Sequence, residues 1–368
     1  MKILLLGEYS NLHWSLAEGL RRLGHDVTVA SNGDGFKDYN RNIDILRKSS
    51  GIKDTLDTLI TVIRNLQNFK GYDVVQLINP CFTQLNIRIN ALLYRFLKRN
   101  NKKVFLGAFG VDSFWIRACL EKNIYKYSEF FIDGKKNNLA DNERLKSLWL
   151  DTGWEDLNVE IAGTCDGIVA CLYEYYEAYK SFEKYSDKLS YIPLPIEIHS
   201  ISYQANVIDD KVKFFIGINK DRSEFKGTDI MLNALNRLCR DYKDKAEMLV
   251  AESVPYNEYK QMMQDSNVVL DQLYSYTPAM NGLLAMAMGK VLVGGGEPEM
   301  YTLLNEQELQ PIVNVFPSEE DIYNKLEGLV LNKDTIPALG EESRLFVEKH
   351  HDYKKVASQY IDYWSKTN

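Results

Sequence analysis

The chain has 368 residues, more than the roughly 250–300 at which single cores tend to divide, so two domains of similar size are expected. Its composition, 45 % hydrophobic and 26 % charged with no low-complexity tract, is that of a chain that folds throughout. Lys plus Arg number 44 against 51 Asp plus Glu, and the resulting net charge of −7 argues against general affinity for nucleic acid.

The opening MKILLLGEYS places four large apolar residues before Gly7 and Glu8, too few for the core of a secretory signal, so no export is expected. The uncharged run ending at Gly289 is interrupted by Ser, Thr, Asn and Pro and suits a buried helix better than a membrane span. Cys81, Cys119, Cys165, Cys171 and Cys239 form an odd set without a CxxC pair, which suggests buried thiols in a reducing cytoplasm rather than disulfides or a zinc site.

From Lys2 onward short apolar runs alternate with amphipathic ones: KILLL, LHWSLAEGLRRLG, DVTVA, LDTLITVIRNLQNF, VVQLI, LNIRINALLYRFLKR and VFLGAF. Runs of four to six apolar residues between helical periods predict parallel strands covered on both faces. GIVAC, YEYYEAYKSF and SYIPLPIE follow, and Pro193 and Pro195 mark a domain linker. The alternation then resumes through KFFIGI, DIMLNALNRLCR, EMLVA, NEYKQMMQ, NVVLDQ, LLAMAMG, VLVGG, MYTLLN, PIVNVF and EDIYNKLEGLVL. The expected architecture is α/β, with two facing Rossmann-like doubly wound domains, 1–195 and 196–351, and ligands in an interdomain cleft. The last helix, 352–368, has apolar spacing through Tyr353, Val356, Tyr360 and Trp364 that suits packing back on the first domain.

Three loops of the second half can carry chemistry. In TPAMNGLLAMAMGK, Thr277 reads as an N-cap, Pro278 as the first helical residue and Gly289 as the left-handed terminator. The amides from Thr277 through Ala279 to Met280 would then form an anion site, the alternative being a core helix with an exposed end. In GINKDRSEFKGTD a strand ends at Gly217, and the loop supplies Arg222 and Lys226 before Gly227 and an N-cap at Thr228 or Asp229. Two such cations can hold a diphosphate; solvent exposure is the plainer alternative. In VLVGGGEPEMY, Gly295 and Gly296 permit close backbone approach to a ligand, and Glu297 and Glu299 can accept hydroxyls; the alternative is a tight turn with solvated acids.

In their order and spacing these motifs, with GEYSNLHWSLAEGLRRLGHDVTVAS at the start and CDGIVACLYEYY before the linker, resemble the GT-B-fold glycosyltransferases. The likeness is to the large retaining (group 1) family of bacterial polysaccharide biosynthesis and extends over nearly the whole chain. It implies a nucleotide-sugar donor on the second domain and a saccharide or lipid-linked acceptor on the first. Arg222 and Lys226 would then neutralise the donor diphosphate, the amides around Thr277 to Met280 would cradle it, and Glu299 would follow the glycine turn. The chain has no Asp-x-Asp, consistent with a site that needs neither metal nor cofactor.

The sequence also departs from that family. Thr277 and Leu284 stand where its two glutamates lie; Asn281 or Glu297 is the candidate replacement for one, and Glu297 or Glu299 for the other. The family's histidine in the first-domain loop is absent from LGAFGVDSFW, which makes Asp112 the candidate acceptor-binding group or base, against the reading of a buried helix cap. His13, near the start of the first helix, is a second candidate, with a structural histidine as its alternative. Arg95, Lys98, Arg99, Lys102 and Lys103 form a basic stretch suited to an inner-leaflet contact or to a solvated helix end. The expected function is therefore cytoplasmic sugar transfer. Rivals are a nucleotide-sugar epimerase of the same architecture and a degenerate saccharide-binding subunit; a dinucleotide oxidoreductase is disfavoured because LLGEYSNLH lacks GxGxxG.

Overall fold

The computed structural model describes every residue except Asn123 and Asn368. The chain opens with β1 (Lys2–Leu6), α1 (Leu12–Arg22), β2 (Asp26–Ser31), β3 (Ile43–Asp44), α2 (Ile52–Arg64), β4 (Val74–Leu77), α3 (Ile87–Asn100), β5 (Lys103–Ala108) and α4 (Ser113–Arg117). A small hairpin pair follows: β6 (Tyr127–Ser128), β7 (Phe131–Ile132) and β8 (Lys135–Lys136). The first half then closes with α5 (Ala140–Trp149), α6 (Gly153–Thr164), β9 (Gly167–Ala170), α7 (Tyr173–Lys180) and β10 (Leu189–Tyr191). The second half runs β11 (Val212–Ile218), α8 (Ser223–Lys226), α9 (Thr228–Asp241), β12 (Ala246–Glu252), α10 (Tyr256–Gln264), β13 (Val268–Leu270) and α11 (Met280–Ala287). It ends with β14 (Val291–Gly294), α12 (Pro298–Leu303), β15 (Val313–Asn314), α13 (Glu319–Leu331), α14 (Ile336–His350) and α15 (Tyr353–Lys366).

These elements form two compact units. The first comprises Met1–Ile124, Arg144–Glu197 and Tyr353–Asn368, and the second Tyr125–Glu143 and Ile198–Asp352. A single switch near the proline-rich segment does not describe this division, because residues 125–143 belong to the second unit. Their short strands carry too little periodicity to announce themselves in the sequence.

The first unit holds a seven-stranded sheet in the order β10-β9-β5-β4-β1-β2-β3. All pairs are parallel, with Ile3 opposite both Val27 and Val74. Its central strands are buried along their whole length, which is why they read as unbroken apolar runs. The terminal helix α15 lies against α1 where Gly19 leaves no room for a side chain, since a Cβ there would stand 2.3 Å from the Tyr353 carbonyl oxygen. Trp364, 1 % exposed, then packs its ring on Phe105.

The second unit holds a five-stranded parallel sheet in the order β12-β11-β13-β14-β15. Phe214 and Ile216 of β11 share a core with Met231, Leu235 and Leu238 of α9 and with Ile322 and Leu326 of α13. The antiparallel β6-β7-β8 sheet joins this unit through Ile132, which packs on that core, and through Tyr127, whose ring stacks on Tyr276 at 4.9 Å. In each unit the chain leaves one strand toward both sides of the sheet: between β1 and β4 in the first, between β11 and β13 in the second. Ligands of doubly wound sheets lie beyond the carboxyl ends of such strand pairs.

Candidate functional site

At the switch point of the second unit, β13 ends and delivers Asp271. Its Oδ1 accepts from Asn281 Nδ2 at 3.2 Å and its Oδ2 is buried without a partner, while the amides of Ala279 and Gly282 are turned to the carboxyl. Burial raises this carboxyl above its ordinary range, and the nearby Lys226 ammonium acts in the opposite sense. Asn281 Oδ1 accepts from the Tyr259 hydroxyl at 3.0 Å, and the Tyr259 ring lies over Gly217, where a Cβ would meet its oxygen at 2.5 Å. Gly217, Lys226, Asn281 and the start of α11 are therefore brought together, with Asp271 and Tyr259 as members that the sequence reading missed. Asp271 was detectable as the acid at the carboxyl end of NVVLDQ; Tyr259 arrives from α10 and left no local signal.

The α11 cap differs from expectation. Ala279 is the N-cap, without a side-chain cap, so Thr277 and Pro278 precede the helix rather than open it. Both are buried in the approach to it. The amides of Ala279 and Gly282 are turned to Asp271, so the positive end of the helix already has an acidic neighbour from its own chain. Gly289 does end the helix in the left-handed region, with φ 86.

The basic loop resolves its two cations differently. Lys226 closes α8, and its carbonyl accepts from Leu273 N at 2.8 Å, which ties it to the loop leaving β13. Gly227, at φ 68, lets the chain pass; a Cβ would stand 2.6 Å from that of Leu273. Gly227 is also the N-cap of α9, in place of Thr228 or Asp229. Arg222 is exposed and lies over the Phe225 ring at 5.1 Å, so it does not share the Lys226 position.

The glycine loop packs on protein. A Cβ on Gly295 would stand 2.2 Å from the Ser275 carbonyl oxygen, and one on Gly296 2.7 Å from Ile312, so the close approach these glycines permit is to their own unit. Glu297, 5 % exposed, accepts from Lys126 Nζ at 2.8 Å, the Tyr127 hydroxyl at 2.9 Å and Asn314 Nδ2 at 2.8 Å. Burial acts to raise its pKa, but these three donors together hold it below the ordinary carboxylate range. A carboxylate so occupied is a brace rather than a base. Glu299 binds Lys126 through Oε1 at 2.8 Å and leaves Oε2 buried without a partner.

In the first unit, Glu8 follows β1 and accepts the amides of His13 at 3.1 Å and Trp14 at 2.9 Å, capping α1 from outside; burial pushes its carboxyl up to about 8. His13 is fully buried. Its Nδ1 lies 2.7 Å from the Gly7 carbonyl oxygen, which can only accept, so Nδ1 carries the proton and Nε2, buried and without a partner, is a bare acceptor. Burial lowers its pKa to about 3, leaving the ring neutral. Asp112 is the buried cap: it accepts from Trp115 N at 3.0 Å and from the Tyr179 hydroxyl at 2.7 Å at the start of α4. Burial raises it to about 6, but with zero exposure it cannot meet an acceptor as placed.

The basic stretch is largely consumed within its own unit. Arg95 binds Glu160 with two bonds of 2.7 Å, Lys98 binds Asp166 at 2.7 Å, Lys102 binds Asp73 at 2.6 Å, and Lys103 reaches the Trp364 and Thr367 carbonyls; Arg99 remains exposed. Among the described residues no helix is long and apolar enough to cross a membrane, and no group of three or more His, Cys, Asp or Glu is placed to hold a metal ion. Cys119, Cys165 and Cys171 are buried and Cys81 and Cys239 half-buried.

Residues 223–362 match the family described as glycosyl transferase-like. No curated protein matches the chain. Among solved structures, the sucrose-phosphate synthase of Thermosynechococcus elongatus aligns with TM-score 0.62 at 11 % identity, covering 100 % of this chain and 99 % of its own. Anabaena HepE, solved in complex with UDP and glucose, aligns at 0.61 and 12 % over 99 % of both chains. WaaG, a glycosyltransferase involved in lipopolysaccharide biosynthesis, aligns at 0.56 and 11 % over 100 % of both. The chain has the GT-B fold, two Rossmann-like domains built on parallel sheets, and the fold that the resemblance implied is borne out.

Proposed function

We propose that the protein transfers a glycosyl group from a nucleotide diphosphate sugar, bound by its second unit, to an acceptor hydroxyl. The observation that carries this reading is the meeting of Lys226 with the start of α11 at the switch point between β11 and β13, inside the region that matches the glycosyl transferase-like family. UDP in HepE gives the donor class its precedent in this fold. In the transfer, the bond from the sugar's anomeric carbon to the diphosphate breaks, a bond to the acceptor oxygen forms, and the hydroxyl proton passes to an oxygen of the departing diphosphate. Negative charge grows on the departing diphosphate, where Lys226 and the first-turn amides of Met280 and Asn281 stabilise it. Lys226 exchanges Asp271 for phosphate on binding, and Arg222 closes on the outer phosphate from its exposed position. Glu299 Oε2 is suited to a sugar hydroxyl, whereas His13, as fully buried as Asp112, holds the Gly7 turn and does not reach an acceptor as placed.

Retention of configuration, independence of metal, a role in cell-surface polysaccharide or glycoconjugate synthesis, and action in the cytoplasm on a saccharide or lipid-linked acceptor complete the proposal. The test is calorimetry with uridine and guanosine diphosphates and their sugars, followed by incubation with and without acceptor glycans. Binding with product formed only when acceptor is present supports transfer. An epimerised sugar nucleotide formed without acceptor selects the epimerase reading, and absence of any nucleotide binding selects a saccharide-binding subunit.

A further inference from the structure

Helix α2 rests on the first unit through a narrow face, Thr58 and Val62, four residues apart and both buried. A second row on the same helix is apolar and open: Ile52 is 82 % exposed, Leu56 51 %, Ile60 43 % and Ile63 55 %. Steps of four, four and three residues align these side chains along one side of a helix. Water-facing aliphatics normally occur singly, and a continuous row of them marks a contact surface. Lys53 and Arg64 are exposed on the same helix and Lys48 just before it. Residues 47–64 carry four cations and two acids, in a chain whose net charge is −7.

We propose that α2 lies flat on an anionic lipid surface, its aliphatic row entering the acyl boundary and Lys48, Lys53 and Arg64 meeting the headgroups. An interfacial helix needs this combination of an apolar face with cations beside it, and it is already folded here by its packing on the sheet. A second copy of the chain fits less well, because a standard protein interface engages roughly 20–30 residues a side and this row offers four. The basic stretch around α3 is a poorer lipid contact, since most of its cations are held by acids or carbonyls of the same unit.

The inference is independent of the donor site and is tested on the full chain by flotation with vesicles of phosphatidylcholine alone or mixed with phosphatidylglycerol. Wild type is expected to float with the mixed vesicles, more weakly as salt rises. Replacing both Leu56→Ser and Ile60→Ser is expected to weaken this by about tenfold or more, and Lys53→Glu with Arg64→Glu to a similar extent on anionic vesicles only. All four positions are exposed, so the melting temperature and nucleotide binding should be unchanged. Failure of wild type to float, or flotation indifferent to the serine pair, overturns the proposal. So does a solution dimer that the serine pair dissociates, which would make a second copy the occupant.

Discussion

The Tyr127 hydroxyl donates a 2.9 Å hydrogen bond to Glu297 Oε1, joining residues 170 positions apart within the second unit. With Lys126 and Asn314 on the same carboxylate, this pair ties the small β6-β7-β8 sheet to the glycine loop. Removing a donor from a buried carboxylate costs about 1–3 kcal/mol, so Tyr127→Phe is expected to lose stability of that size, read by urea unfolding. Glu297 is held below the ordinary carboxylate range, so its contribution is present above that range and is lost as pH falls through it. Glu297→Gln should therefore narrow the gap between stability at neutral and at acid pH. An unchanged gap would show that the brace carries no load.

Lys226 and Arg222 should separate in nucleotide binding. Lys226→Ala is expected to weaken UDP binding by about 1–3 kcal/mol, the worth of a charged hydrogen bond. Arg222, exposed and lying over Phe225, should lose less. Asp271→Asn keeps a side chain for Asn281 but removes the charge that competes for the α11 amides, so UDP should bind more tightly to that variant. Titrations in which Lys226→Ala matches wild type would remove the site from this end of the sheet.

The buried pair at the start of α1 gives stability two opposed pH limbs. His13 is lowered from 6.5 to about 3, so the unfolded chain takes up its proton first and stability falls as pH drops below about 6.5. The loss amounts to about 2 kcal/mol near pH 5. Glu8 is raised from 4.5 to about 8, so its ionisation is resisted in the fold and stability falls as pH climbs from about 4.5 toward 8. His13→Gln should flatten the acid limb and Glu8→Gln the alkaline one, measured as melting temperature against pH. If both variants follow the wild-type curve, neither group is as buried as its hydrogen bonds require.

Much of the fold was legible because parallel strands covered on both faces leave unbroken apolar runs such as KILLL and VFLGAF. The β6-β7-β8 sheet was not, since its strands are two residues each and its membership of the second unit depends on Tyr127 meeting partners far along the chain. The site was half legible. Lys226 follows a strand and precedes a glycine, a local pattern, whereas Asp271 and Tyr259 meet Asn281 only after three separate strand and helix units have stacked. Thr277 illustrates the opposite error: a residue type that caps helices well stands two positions before the N-cap, Ala279, and is buried instead.

Gly295 distinguishes packing from ligand approach. Its Cβ position lies 2.2 Å from the Ser275 carbonyl oxygen and 2.5 Å from the Ser275 hydroxyl oxygen, so any side chain must push the two loops apart. Gly295→Ala is expected to destabilise the second unit by about 1–3 kcal/mol, as overpacking does in a close-packed interior. Gly294 meets nothing nearer than 3.4 Å, so Gly294→Ala in the adjacent position should cost distinctly less. Because the contact is internal, UDP affinity measured well below the melting temperature should change little in either variant. A Gly295→Ala protein that melts like wild type but has lost nucleotide binding would instead place a ligand against this loop and return the glycines to the donor site.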